Sequence, residues 1–383
     1  MIENLLVVEF ASVLAGPAVG MFFAELGARV IKVENRGTGG DVTRSWVSRE
    51  ESPVGATAYF SAVNWGKESI CLDLHSREDH AVAMQLVERA DIALVSFKPG
   101  DVEKLGLDYP ALKARNPRLI YARVSGYGTD DPRTAYDAIL QGACGFSHMN
   151  GEADRPPQKM PVALIDLLAA HQLKEGILLA LLKRTATGNG CQVHTSLLKS
   201  GIASLANQAT NYLVAGKIPG RMGSAHPNIA PYGTAFRTGD GLEVVLGVGN
   251  DAQFRRLCAI LDLNDLAEHP HFATNAARVG NRQTLEEKIA RQIANWNGDK
   301  LLKTLAEQKI PAGPILNMEQ VFAQKGAREL LIRSAPDGTE GLIGLRTVAF
   351  ELDGQTPRQL SPPPALDEHG EQIRRWLSGR EKG

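Results

Sequence analysis

Short apolar runs alternate with stretches of helical periodicity through the first part of the chain. Leu5–Glu9 is followed by a turn at Gly16-Pro17, a helical stretch from about Val19 to Leu26, and a second run, Arg29–Val33, ending on Glu34. The order then continues with Ser69–Leu74, a helix opened by Ser76 with Asp79 as its capping partner, Ile92–Phe97, a helix starting near Asp108 and Pro110, and Leu119–Val124. Runs this short and continuous read as strands buried on both faces, and alternation with helices argues for parallel pairing. The spacing predicts an α/β fold, with an open, parallel-sheet, Rossmann-like large domain.

From Pro161 to about Thr185 apolar residues keep helical spacing over an unusual length, and Gly188-Asn189-Gly190 supplies the stop. A Pro/Gly-rich stretch from Gly216 to Pro231 breaks the pattern. Beyond it the chain predicts a hairpin, Gly233–Arg237 and Leu242–Val248 about Gly239-Asp240-Gly241, then helices over Asp251–Leu261, Asn281–Ala294 and Asp299–Gln308. The expected organisation is a large domain beginning with 1–215, a linker at 216–232, a smaller α+β domain at 233–318, and a return segment at 319–383. That segment carries Ser361–Pro364 and a last helix with Trp376.

Composition narrows the function. Among 383 residues, 42 Lys and Arg balance 43 Asp and Glu, which leaves no field to attract nucleic acid or an anionic membrane. No basic-then-apolar leader and no long uncharged apolar run is present, and Cys71, Cys144, Cys191 and Cys258 form no C-x-x-C pair. The expectation is a cytoplasmic protein with reduced thiols. The nine histidines are scattered; His269 and His271 flank Pro270 in a loop, and no metal site is expected.

The first βαβ unit invites a dinucleotide reading, but Gly16-Pro17-Ala18-Val19-Gly20 is not G-x-G-x-x-G and Pro17 removes an amide. A Rossmann-type oxidoreductase is therefore a distant alternative. Arg36, Lys98 and Lys104 follow strand ends that the topology places on one rim, where they could neutralise phosphates. Asp166 is the one charge in Pro161-Val162-Ala163-Leu164-Ile165-Asp166-Leu167-Leu168-Ala169-Ala170. It is either a helix-terminus acid or a partly desolvated carboxylate facing a ligand, kept ionised by the helix end.

Taken in order, several blocks carry a resemblance. They are Ala15-Gly16-Pro17 leading to Leu26-Gly27-Ala28-Arg29-Val30-Ile31-Lys32-Val33-Glu34, Gly40-Asp41-Val42-Thr43-Arg44, Asn64-Trp65-Gly66-Lys67, and Phe97-Lys98-Pro99-Gly100 with Leu105-Gly106-Leu107. Asn116-Pro117-Arg118, Ser125-Gly126-Tyr127-Gly128, Thr187-Gly188-Asn189-Gly190 and Leu366-Asp367-Glu368-His369 complete the series. Over essentially its whole length the chain resembles the class III CoA-transferases, the formyl-CoA:oxalate and carnitine CoA-transferase type. The resemblance implies that Asp166 is the nucleophile, carrying the acyl group as a mixed anhydride and then CoA as a thioester.

Coenzyme A, as substrate and product, would contact Val13, Leu14, Arg36 or its neighbour Asn35, Lys67, Leu72, Ser96, Phe97, Lys98, Lys104 and Tyr136. The partners implied are an acyl-CoA, a small carboxylic acid of succinate type, and a second copy in an interlocked homodimer. His148, Asn150, Arg155, His171, His226 and Asn228 are candidates for a second carboxylate. Val95-Ser96-Phe97 departs from the family's Glu-Asn-Phe, Ala169-Ala170-His171 stands where glycines often follow the aspartate, and Gly247-Val248-Gly249-Asn250 is shorter than the glycine-rich flap of some members. The rival within the fold, a 2-methylacyl-CoA racemase, commonly has a His-Asp step where this chain has Tyr136-Asp137. A non-catalytic CoA-binding protein is the other alternative, disfavoured by the presence of Asp166.

Overall fold

A computed structural model describes residues 2–51, 55–335, 341–354 and 359–379. Parts of the expected return segment, 336–340, 355–358 and 380–383, lie outside them. The chain divides into two compact units: residues 1–144, 160–209 and 328–383 form the first, and residues 145–159 and 210–327 the second. Residues 216–232, read above as a linker, fall within the second unit.

The first unit is built on a six-stranded parallel sheet: β1 (Leu6–Phe10), β2 (Arg29–Asn35), β3 (Lys67–Leu72), β4 (Ile92–Val95), β5 (Ile120–Ser125) and β6 (Gln192–Ser196), in the order β3-β2-β1-β4-β5-β6. Strands β1, β4 and β5 are buried at every residue, as strands covered on both faces should be. One face packs Val8, Phe10, Ile31 and Ile70 against Met84, Leu86 and Val87 of a helix at Arg77–Arg89 and Ile373 of the last helix, Gly370–Leu377. The other face is covered by α1 (Ala15–Glu25) and by the long helix Leu164–Thr187. Because the chain fills one side of the sheet with β2 and β3 and then returns past β1 to β4, the order reverses between β1 and β4. Open sheets of this kind bind ligands at that reversal, outside the carboxyl ends of the strands.

Four local expectations change. Helix α1 begins at Ala15, because Pro17 sits in its first turn, where a backbone N–H has no intrahelical partner. The long helix begins at Leu164, three residues after Pro161. Ser76 precedes its helix without a side-chain cap; Asp79 instead accepts from the Asp73 amide and pairs with Arg374 at 2.8 Å. Strand β6 escaped the pattern because Gln192-Val193-His194-Thr195-Ser196 is an edge strand with little apolar content.

In the second unit an antiparallel sheet joins Tyr232–Arg237, Glu243–Gly247 and Ala312–Pro314. It packs on helices at Asp251–Ile260, Arg282–Ile293 and Gly298–Glu307 through Phe236, Val244, Leu246, Phe254, Leu257, Ile289 and Leu305. This is the α+β arrangement that the hairpin and helix pattern predicts.

Candidate active site

A cavity of about 260 Å3 opens at the sheet reversal in the first unit. Three loops that leave strand ends build it: Ser12–Gly16 after β1, Ser96–Pro99 after β4, and Ser125-Gly126 after β5. Asp131 and the run Arg133–Tyr136 form another wall, and Asp166, in the first turn of the long helix, contributes its carboxylate. Val13, Leu14, Ser96, Phe97, Lys98, Tyr136 and Asp166, separated by up to 153 positions in sequence, thus line one space.

Asp166 is buried, at 8% exposure, and its carboxylate accepts no hydrogen bond among the described residues. The cap of the long helix is Asp137 instead. Its Oδ1 accepts from the Ile165 amide at 2.8 Å and its Oδ2 from Gln141 Nε2 at 2.7 Å. The expectation that the helix end keeps Asp166 ionised is therefore corrected: burial, with the Asp137 charge adding to it, pushes the Asp166 carboxyl up to about 7. A carboxylate that accepts no hydrogen bond from the protein is a more reactive nucleophile than a fully hydrogen-bonded one once it loses its proton.

Cations stand at the same cavity. Lys98 Nζ donates to Thr134 Oγ1 at 2.6 Å, and Arg133 pairs with Asp131 at 2.6 Å while its guanidinium lies 3.8 Å over the Tyr127 ring. A second hollow, about 640 Å3, shares Ser12, Val42, Ser96 and Phe97 with the first and extends along the end of β2 past Asn35, Thr38 and Gly39. Asn35, the neighbour named beside Arg36, lines it. Ser125 faces the cavity, with its hydroxyl 2.9 Å from His194 Nε2.

Other predicted contacts stand elsewhere. Lys67 is buried in the sheet, 2.7 Å from Glu9 Oε2, and cannot reach a ligand in this cavity. Leu72 is fully buried in the apolar core. Lys104 is exposed, 3.6 Å from Asp101, and Arg36 donates to the Cys71 carbonyl; neither lines the Asp166 cavity. In both buried cases strand alternation decides the direction of the side chain, which a motif does not convey. Of the candidates for a second carboxylate, His148, Asn150, Arg155, His226 and Asn228 belong to the second unit and His171 lies on the exposed face of the long helix.

Two neighbours were not foreseen. Tyr59, on a short helix at Ala58–Ser61, has its phenol pushed upward by burial and by the charges of Asp166, Asp137 and Asp41. Trp46 packs edge-on against it, ring centres 4.9 Å apart. Arg133 was the other, although a cation shortly after the last strand of a βα series was visible in Asp130-Asp131-Pro132-Arg133.

This sheet order, with a buried carboxylate at its reversal and cations at the rim, suits an enzyme that works on an anionic ligand. The chain belongs to CoA-transferase family III, whose sequence pattern matches residues 2–370, and it is an enzyme of the CoA-transferase class. A succinate–glutarate CoA-transferase of Agrobacterium fabrum (strain C58) is 40% identical, over 97% of this chain and 94% of that protein. A succinyl-CoA:mesaconate CoA-transferase of Haloarcula hispanica is 34% identical, over 96% of this chain and 94% of the other. A CaiB/BaiF family protein from Brucella suis superposes with a TM-score of 0.85 at 41% identity, covering 98% of this chain and 99% of that one.

CoA is substrate or product of such enzymes. Among the described residues no cluster of His, Cys, Asp and Glu could hold a metal ion, and no helix is long and apolar enough to cross a membrane.

Proposed function

We propose that this chain moves CoA between small dicarboxylic acids and that Asp166 carries first the acyl group and then CoA. The observation that supports the reading most is the buried Asp166 carboxylate, without a hydrogen-bond partner among the described residues and raised to about 7, facing a cavity that the β1, β4 and β5 loops also line. A deprotonated Asp166 oxygen attacks the thioester carbonyl of the donor; the C–S bond breaks, and a mixed anhydride and the CoA thiolate remain. The thiolate attacks the Asp166 carbonyl, the anhydride C–O bond breaks, and the donor acid leaves an aspartyl-CoA thioester. The acceptor carboxylate then runs the two steps in reverse. Both intermediates are activated acyl groups, so the thioester bond energy is kept, and burial protects them from water.

In this reading Lys98 and Arg133, at the cavity, meet phosphates of CoA, and Val13, Leu14 and Phe97 form an apolar wall for its pantetheine arm; their lining of one space supports it. The dicarboxylate assignment draws on the succinyl and glutarate relatives named above. A homodimer is part of the proposal: the long helix turns Leu179 and Leu182 outward at 68% and 69% exposure, an apolar stripe suited to a second copy. The test is a panel of acyl-CoA donors and acids followed by chromatography of the CoA esters, with sedimentation alongside. Exchange of CoA between succinate-type acids is expected. Deuterium entering carbon 2 of a 2-methylacyl-CoA, without exchange between acids, would overturn the proposal.

A further inference from the structure

On the face of the sheet that α1 covers, Glu9, Lys32 and Lys67 are joined by Asp41 of the loop after β2, each side chain at most 1% exposed. Lys67 Nζ lies 2.7 Å from Glu9 Oε2, and Lys32 Nζ bridges Glu9 Oε1 and Asp41 Oδ2, both at 2.9 Å. Close approach is secured by Gly20 of α1, where a Cβ would collide with Glu9 and press on Lys67. Burying charges is costly, and apolar side chains of like volume stabilise a core as well or better. The network therefore calls for a role other than stability.

Its remaining hydrogen bonds supply one. Lys32 Nζ donates to the Ala11 carbonyl at 2.8 Å, and Lys67 Nζ donates to the Pro17 carbonyl at 2.9 Å. Asp41 accepts the Val13 amide at 3.2 Å. These contacts grip the β1–α1 turn before, within and after Ser12–Gly16, the five residues that form one wall of the Asp166 cavity. Val13 is held at φ 70°, a left-handed conformation that a β-branched residue resists. None of the four lines that cavity, although Lys32 and Asp41 line the adjoining hollow at the end of β2.

We propose that the Lys67–Glu9–Lys32–Asp41 network is a positioning device, which holds the strained Ser12–Gly16 turn in the shape that CoA transfer requires. The inference rests on the transfer reaction proposed above. Burial opposes the Lys32 ammonium, but Glu9, Asp41 and Glu34 raise it above its ordinary value, and Lys32 with Thr43 outweighs burial at Asp41 and lowers that carboxyl, whereas burial prevails at Lys67 and lowers it to about 8.

A charge-balanced double variant, Lys32→Met with Asp41→Leu, leaves the Lys67–Glu9 pair in place and removes the grips on Ala11 and Val13. Melting temperature, CoA affinity by calorimetry and kcat per folded molecule are measured together. The expected result is a melting temperature near the parent's with kcat lowered about 100-fold, the penalty of a misplaced wall. Adding Val13→Gly, which adopts the left-handed turn without strain, is expected to recover about 10-fold.

A double variant that turns over within about three-fold of the parent overturns the inference. Should it not fold, Asp41→Ala, which removes the acceptor of the Val13 amide and leaves the Lys32 grip on Ala11, is expected to lose about 10-fold in kcat, and an unchanged rate contradicts the proposal. If the parent itself transfers no CoA, the functional reading fails, and the network is judged on binding: the variant is expected to hold CoA about 10-fold more weakly, and equal affinity sinks it.

Discussion

Asp41 and Asp166 are both buried aspartates in the same unit, at 4% and 8% exposure over the whole residue, and burial alone would raise the pKa of each. Around Asp41 stand Lys32 at 2.9 Å, the Thr43 hydroxyl at 2.8 Å and the amides of Val13 and Thr43, so that its carboxyl falls below the ordinary range. Asp166 accepts no hydrogen bond among the described residues, a second acid acts on it, and the carboxyl rises to about 7. The lesson is that partners, more than depth, separate a structural acid from a reactive one. Asp137 makes the same point on a smaller scale, since it takes the helix-capping amide that Asp166 leaves unused.

The contrast can be broken first at the reactive end. Asp166→Asn keeps shape and removes the nucleophile, so CoA exchange is expected to fall by about 10^4-fold or more with folding intact by circular dichroism. The structural end predicts the opposite phenotype: Lys32→Met strands Glu9 and Asp41 with one cation fewer, and denaturant titration is expected to show a loss of about 3–5 kcal/mol.

The pH dependence separates the two acids further. Asp166 must be ionised to attack, so kcat/KM is expected to rise with pH along an acid limb with an apparent pKa near 7. Stability runs the other way. Because the folded pKa lies above the unfolded one, the native state holds a proton that the unfolded chain has released between about pH 4 and 7, and this contribution is lost as pH rises through that window. Asp166→Asn is therefore expected to be more stable than the parent at pH 8, on the order of 2 kcal/mol by denaturant titration. The smallest effect is at the rim: Lys98→Ala should raise KM for the acyl-CoA about 10-fold and leave kcat nearly unchanged, because it removes binding common to ground and transition states.

The sheet was legible because β1, β4 and β5 are mainly apolar runs and β2 keeps Val30, Ile31 and Val33, and the wall residues Val13, Leu14, Ser96 and Lys98 were legible because they sit in blocks just past those runs. Lys67 misled for a physical reason. A lysine at a strand start reads as solvated, and only the register that sets Lys67 beside Val30, with Glu9 beside Lys32 on the same face, shows it to be part of a buried ion chain. Tyr59 and Asp137 were hidden for another: their bearing on Asp166 depends on loops brought together from positions 59, 137 and 166, and no local pattern encodes that meeting. Asp166 itself stood out in the sequence as a charge among apolar neighbours, but its protonation was misjudged until Asp137 was seen to hold the helix amide.

The most direct test is chemical trapping of the carrier. The parent is incubated with succinyl-CoA, quenched with hydroxylamine and mapped by peptide mass spectrometry. The account predicts a hydroxamate on Asp166, absent when the acyl-CoA is omitted. CoA exchange at full rate with Asp166 unmodified, or with the label on another residue, would contradict it.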